Sequence, residues 1–155
     1  MSYSSLIPGT DLTPSGRVFL ATNLIYFIAG GVLSTAGGNT GLGCLCELAG
    51  TFSVWYHWAQ SRYGNTEPAE VRLALIFDYA AAIPACGWGV WYIQELGLDN
   101  VPPEAVPLAV VGVASFLYGW LDMDPRRYMI AHGLWHLCGG GLAISIAKAY
   151  EVAGS

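Results

Sequence analysis

Residues with metal-binding or acid–base chemistry stand at helical spacing in this chain. His132 and His136 stand four residues apart, as do Ser53 and His57, and Asp78 lies between the two pairs. On a helix, positions i and i+4 share one face, about 40° apart. Two imidazoles on one face and a third from a facing helix offer three nitrogens to one ion. Three protein ligands with an open fourth position are the pattern of a catalytic zinc site. Zinc lowers the pKa of its bound water to about 7, which makes a hydroxide nucleophile at neutral pH. Asp78 is placed to accept the water's proton or to orient a ligand imidazole. Ser53, one turn from His57, is placed to hydrogen-bond the water or a developing oxyanion.

The elements that must carry these groups are membrane helices. Only 11% of the 155 residues are charged, 54% are hydrophobic, and the mean hydropathy is +0.47. An ordinary soluble domain carries roughly 25% charged residues. So few charges do not cover the surface of a water-soluble globule, and disorder is equally excluded. Six Lys and Arg against a net charge of −5 leave no basic footprint for a nucleic acid. The expected fold class is an all-α integral membrane protein, a multi-pass bundle of about five transmembrane helices.

A crossing needs about 20 mostly apolar residues. Five stretches qualify, near 18–36, 41–60, 71–93, 104–121 and 128–147, within a transmembrane domain over 17–150. The links at Gly37–Thr40, Ser61–Glu70, Gln94–Pro103 and Asp122–Arg127 are rich in helix-breaking residues. Residues 1–16 read as an irregular arm with Pro8, Gly9, Pro14 and Gly16, and 151–155 as a short tail. The arm reads as neither a secretory signal nor a transit peptide.

Five crossings put the termini on opposite sides. The N-terminal side then holds Arg17, Arg62, Arg72, Arg126 and Arg127, and the other side only Lys148. The positive-inside rule places the N-terminus on the cytoplasmic side of a bacterial inner membrane or its organellar equivalent. Trp55, Trp58, Trp120 and Tyr128 toward one side, with Trp88, Trp91 and Tyr92 toward the other, form the expected interfacial belts. On this topology His57, Asp78, His132 and His136 all sit roughly 5–12 Å inside the N-terminal-side boundary, at 1.5 Å per residue. Ionisable groups inside a span are costly and usually functional. Scattered packing residues have no reason to share a depth.

Other polar or reactive residues stand apart. Glu47 lies in the opposite half of its span and takes no catalytic role. It either pairs with a polar group, stays protonated or faces a partner subunit. Cys138 is about 200° around the helix from His136, off the ligand face. Cys44, Cys46, Cys86 and Cys138 all lie in apolar stretches and read as small buried hydrophobes. The small residues Ala80–Ala82 and Gly139–Gly141 let helices approach closely.

Three strings carry a family resemblance: Gly50-Thr51-Phe52-Ser53-Val54-Trp55-Tyr56-His57, Phe77-Asp78-Tyr79 and His132-Gly133-Leu134-Trp135-His136. In that order the chain resembles the CREST superfamily of membrane hydrolases. That group includes the alkaline ceramidases, the proteins that remodel GPI lipids, and the progestin and adipoQ receptors. Trp135 before the final histidine resembles the ceramidase and GPI-remodelling branches, and Asp78-Tyr79 the latter. The resemblance implies zinc held by His57, His132 and His136, with Ser53 and Asp78 as accompanying catalytic groups. It implies hydrolysis of a membrane lipid amide or ester by metal-activated water. The family has seven spans against the five counted here, so one helix is missing before the Ser-x3-His helix and one between the Asp and His-x3-His helices.

Two other functions fit the composition. An accessory subunit of a larger membrane complex, with other membrane subunits as partners and a vestigial or structural metal site, suits five short-looped helices. A pigment- or haem-binding subunit with histidine axial ligands is permitted by His57 and the aromatic residues, and nothing in the sequence favours it.

Overall fold

The computed structural model describes residues 6–121 and 124–154. Its regular structure is helical throughout the described residues. Helix α1 (Pro14–Ala21) and helix α2 (Ile25–Thr35) are joined by a 3-10 turn at Thr22–Leu24 into one rod. Then follow α3 (Thr40–Tyr63), α4 (Ala69–Leu96), α5 (Ala105–Leu121) and α6 (Pro125–Gly154). Short connections make successive rods antiparallel neighbours. Side-chain contacts fix the direction. Thr22 meets His136 and Gln60 meets Tyr128 at one end, while Tyr92 meets Gly37 and Tyr150, and Glu104 meets Ser145, at the other. The five arginines therefore share the end nearest the histidines, and Lys148 lies at the other.

Local chemistry explains the helix ends. Thr13 accepts from the Gly16 amide at 3.0 Å, with Pro14 at the first helical position, so α1 starts four residues before the expected span. Asn39 caps α3 through the Leu42 amide at 2.9 Å. Gly64 ends it in the left-handed region at φ 79°, where a side chain would also strike Pro8. The Asp124 carboxylate accepts from the Arg126 and Arg127 amides at 3.0 and 2.9 Å, and Pro125 opens α6. Pro107 falls in the first turn of α5, where its missing N–H has no intrahelical partner to lose.

Three of the rods are long and apolar enough to cross a membrane: Pro14–Thr35, Ala69–Leu96 and Pro125–Val152. The other two expected spans differ for separate reasons. α3 has the length, but Glu47, Ser53, His57, Gln60, Ser61 and Arg62 dilute its apolar character. α5 is apolar but has only 17 residues.

The ends also depart from the expected boundaries. Within the arm, residues 1–5 lie outside the described residues. Thr10–Leu12 form a 3-10 turn, and the Gly9 amide donates to the Arg62 carbonyl at 3.3 Å, which ties the arm to the end of α3. The expected tail is helical through Gly154, because nothing between Ala149 and Ala153 breaks α6. Residue 155 lies outside the described residues.

α6 is the hub: α5 packs along one flank and α2 along another, and α3 packs between α2 and α4. One apolar core, with Leu33, Leu42, Tyr92 and Ile146, fills the end away from the histidines. A smaller cluster of Leu6, Phe19 and Tyr128 closes the histidine end. α4 leans on α3 and makes little contact with α6, which leaves a cleft between α4 and the α5–α6 pair.

Candidate metal centre

His57 on α3 and His132 and His136 on α6 converge. Each offers one ring nitrogen, and these nitrogens lie within 4.8 Å of one another. The ring centroids are 4.7 Å (His57–His132), 5.1 Å (His57–His136) and 4.9 Å (His132–His136) apart. His57 and His136 are 0% and 1% exposed, and His132 is partly buried. Phe19 roofs the group, with its ring 4.9 Å from His57 and 5.9 Å from His136, and Tyr128 stacks on His132 at 5.1 Å.

The outer nitrogens of two rings are held, and the inner ones are not. The Thr22 hydroxyl donates to the Phe19 carbonyl at 2.6 Å. With its proton so committed, it accepts from His136 Nδ1–H at 2.9 Å. Gln60 Oε1, 0% exposed, accepts from His57 Nδ1–H at 3.2 Å and from the Tyr128 hydroxyl at 3.3 Å. Both histidines are thereby fixed as Nδ1–H tautomers with an Nε2 lone pair facing inward. His57 Nε2 and His136 Nε2 are buried without a hydrogen-bond partner among the described residues. A buried acceptor without a partner costs free energy. Second-sphere acceptors on the far nitrogen are the usual setting of a metal-bound imidazole. The donor set therefore fits a divalent ion of the zinc type: three neutral nitrogens and an open side.

The open side faces a cavity of about 320 Å³ lined by α2, α3, α4, α5 and α6. His132 and His136 border it, as do Ser53 and Asp78, and most of the remaining wall is apolar or aromatic. Ile83 of α4 and Trp120 of α5 line it while 68% and 56% exposed, so it opens between those two helices. The Ser53 hydroxyl lies near the Asp78 carboxyl at the cavity wall. The imidazole-orienting role open to Asp78 belongs, for His57 and His136, to Gln60 and Thr22.

Glu47 and Cys138 lie outside the centre. The Glu47 side chain lies over Gly30 of α2, and Cys138 faces Gly112 of α5. Thr22, Gln60 and Tyr128 are site residues that the sequence reading missed. Their only sequence signal is a polar group in an apolar stretch. Comparison with known protein families, curated proteins and solved structures finds no match.

Proposed function

We propose that this chain is a membrane-embedded, zinc-dependent hydrolase that cleaves a lipid amide or ester, a reduced five-helix relative of the CREST hydrolases with all five helices crossing the bilayer and the N-terminus cytoplasmic. The observation that carries the reading is the pair of buried, partnerless Nε2 atoms that meet a third imidazole beside a cavity open between α4 and α5. An ion bound there supplies Lewis acidity, which makes water acidic enough to attack near neutral pH.

The chain's own residues do the rest. The cavity wall takes the acyl chain, and its opening toward the lipid-facing surface admits a substrate already dissolved in the bilayer. Asp78 takes a proton from the attacking water, and Ser53 keeps the carboxylate aimed. The water oxygen bonds to the carbonyl carbon, the C–N or C–O bond breaks, and the proton passes to the leaving amine or alcohol. Phe19, Leu6 and Tyr128 exclude bulk water from the arginine-rich end.

The test is turnover in vesicles carrying fluorescent lipid amides and lipid esters, with the full chain and added zinc. Release of fatty acid by the wild type, abolished in His136→Ala and reduced in Asp78→Asn, is expected. Zinc-loaded wild type that releases no product from either substrate class would overturn the hydrolase reading.

A further inference from the structure

The hydroxyl groups around the cavity are unevenly committed. Tyr128 donates to Gln60 at 3.3 Å, and Ser53 lies near Asp78. Tyr56 and Tyr79 are engaged with other residues. Tyr26, in the first turn of α2, lines the same cavity. Its ring stands edge-on to His136, with centroids 5.7 Å apart. Its hydroxyl lies 3.6 Å from where a Cβ on Gly139 would sit, on the α6 face one turn past His136. Gly50 of α3 makes room for the other end of the side chain: a Cβ there would come within 2.9 Å of the Tyr26 Cβ. Asp78, Cys46 and Cys86 are its titratable neighbours. Among the described residues the Tyr26 hydroxyl makes no hydrogen bond.

A tyrosine O–H in apolar surroundings normally finds an acceptor. Among the described residues none is in place, and Tyr26 lines the cavity beside His136. The missing acceptor is one that arrives with the substrate. A lipid carbonyl placed for attack beside His136 presents such an oxygen, and negative charge develops on it during the reaction.

We propose that Tyr26 is a catalytic residue that contacts the substrate: its O–H donates to the carbonyl oxygen of the scissile amide or ester and stabilises the oxyanion formed when water adds. The inference rests on the hydrolase reading and deepens it. When the water oxygen bonds to the carbonyl carbon, the C=O π pair moves onto the oxygen that Tyr26 holds. When the C–N or C–O bond breaks, that pair returns to re-form the carbonyl, and the leaving group takes the proton given up by water. Tyr26 keeps its own proton throughout. Tyr26 adds a second donor to the oxyanion role expected of Ser53.

The test compares the full-length, zinc-loaded wild type with Tyr26→Phe in nanodiscs, and with Tyr118→Phe as a tyrosine control away from the cavity. Dodecylphosphonate, whose head is a tetrahedral anion like the intermediate, and dodecanol, whose head is neutral, are the binding probes. Tyr26→Phe retains the ring against His136, so zinc stoichiometry and thermal stability stay at wild-type values. Phosphonate affinity falls about 10- to 100-fold while dodecanol affinity holds. On a fluorogenic lipid ester, kcat falls about 100-fold with KM little changed. Unchanged phosphonate affinity in Tyr26→Phe overturns the assignment, and so does a wild type that does not bind phosphonate. A wild type that binds phosphonate through Tyr26 but cleaves no ester or amide refutes the hydrolase reading and leaves the contact standing.

Discussion

Replacing Thr22 by valine keeps the shape of the side chain and removes its oxygen. The His136 Nδ1–H then loses its acceptor at 2.9 Å, and the Phe19 carbonyl loses a donor at 2.6 Å. His136 is 1% exposed, so water does not readily replace the lost partner. An unpaired buried donor costs about 1–3 kcal/mol. The ring escapes that cost by moving its proton to Nε2, the position that must stay bare to hold an ion. Either way the penalty falls on metal binding. At about 1.4 kcal/mol per tenfold, the expected loss of zinc affinity is about 10- to 100-fold, the usual scale for a second-sphere partner. Competition against a fluorescent chelator, with the full chain in detergent, measures it directly. Thr22→Ser restores the oxygen and brings affinity back to near the wild-type value. Wild-type affinity in a folded Thr22→Val protein, or a serine variant as weak as the valine one, would refute the tautomer argument.

Two further perturbations test the bundle itself. Gly43→Ala places a Cβ 2.6 Å from the Gly30 carbonyl oxygen of α2, a backbone atom that cannot turn aside. It lowers stability by about 1–3 kcal/mol, read as a lower Tm in detergent. At the far end, Glu104 accepts from the Ser145 hydroxyl at 2.9 Å. Its own amide, that hydroxyl and Lys148 hold the Glu104 carboxyl below the ordinary value of 4.5. A depressed carboxyl pKa gives stability that is present above the unfolded value and lost as pH falls through the folded one. Glu104→Gln therefore lowers Tm slightly at pH 7. The gap from wild type closes as pH drops below 4.5, and a gap constant across that range would contradict the assignment.

The helical class and the three histidines are legible in the sequence because both rest on local rules. Apolar stretches bounded by Gly, Pro and Asn mark the rods, and the i, i+4 spacing marks the shared face of His132 and His136. The partners that tune the site are set by contacts between residues distant in sequence. Thr22 is 114 positions from His136, and Tyr128 is 68 from Gln60. No spacing within one helix reveals either. Tyr26 in an apolar run reads as packing until its hydroxyl is seen to lack an acceptor. The early start of α1 was readable in Thr13-Pro14, a capping residue before an N1 proline, and was obscured by the neighbouring Gly16.

The account stands on three imidazoles holding one ion, and X-ray absorption at the zinc edge of the purified full-length chain tests this most directly. It predicts one zinc per chain, a first shell with three histidine nitrogens and one exchangeable oxygen ligand, and loss of that signal in both His57→Ala and His136→Ala. A chain that binds no zinc when the metal is supplied, or a His57→Ala protein with an unchanged zinc spectrum and stoichiometry, would contradict it.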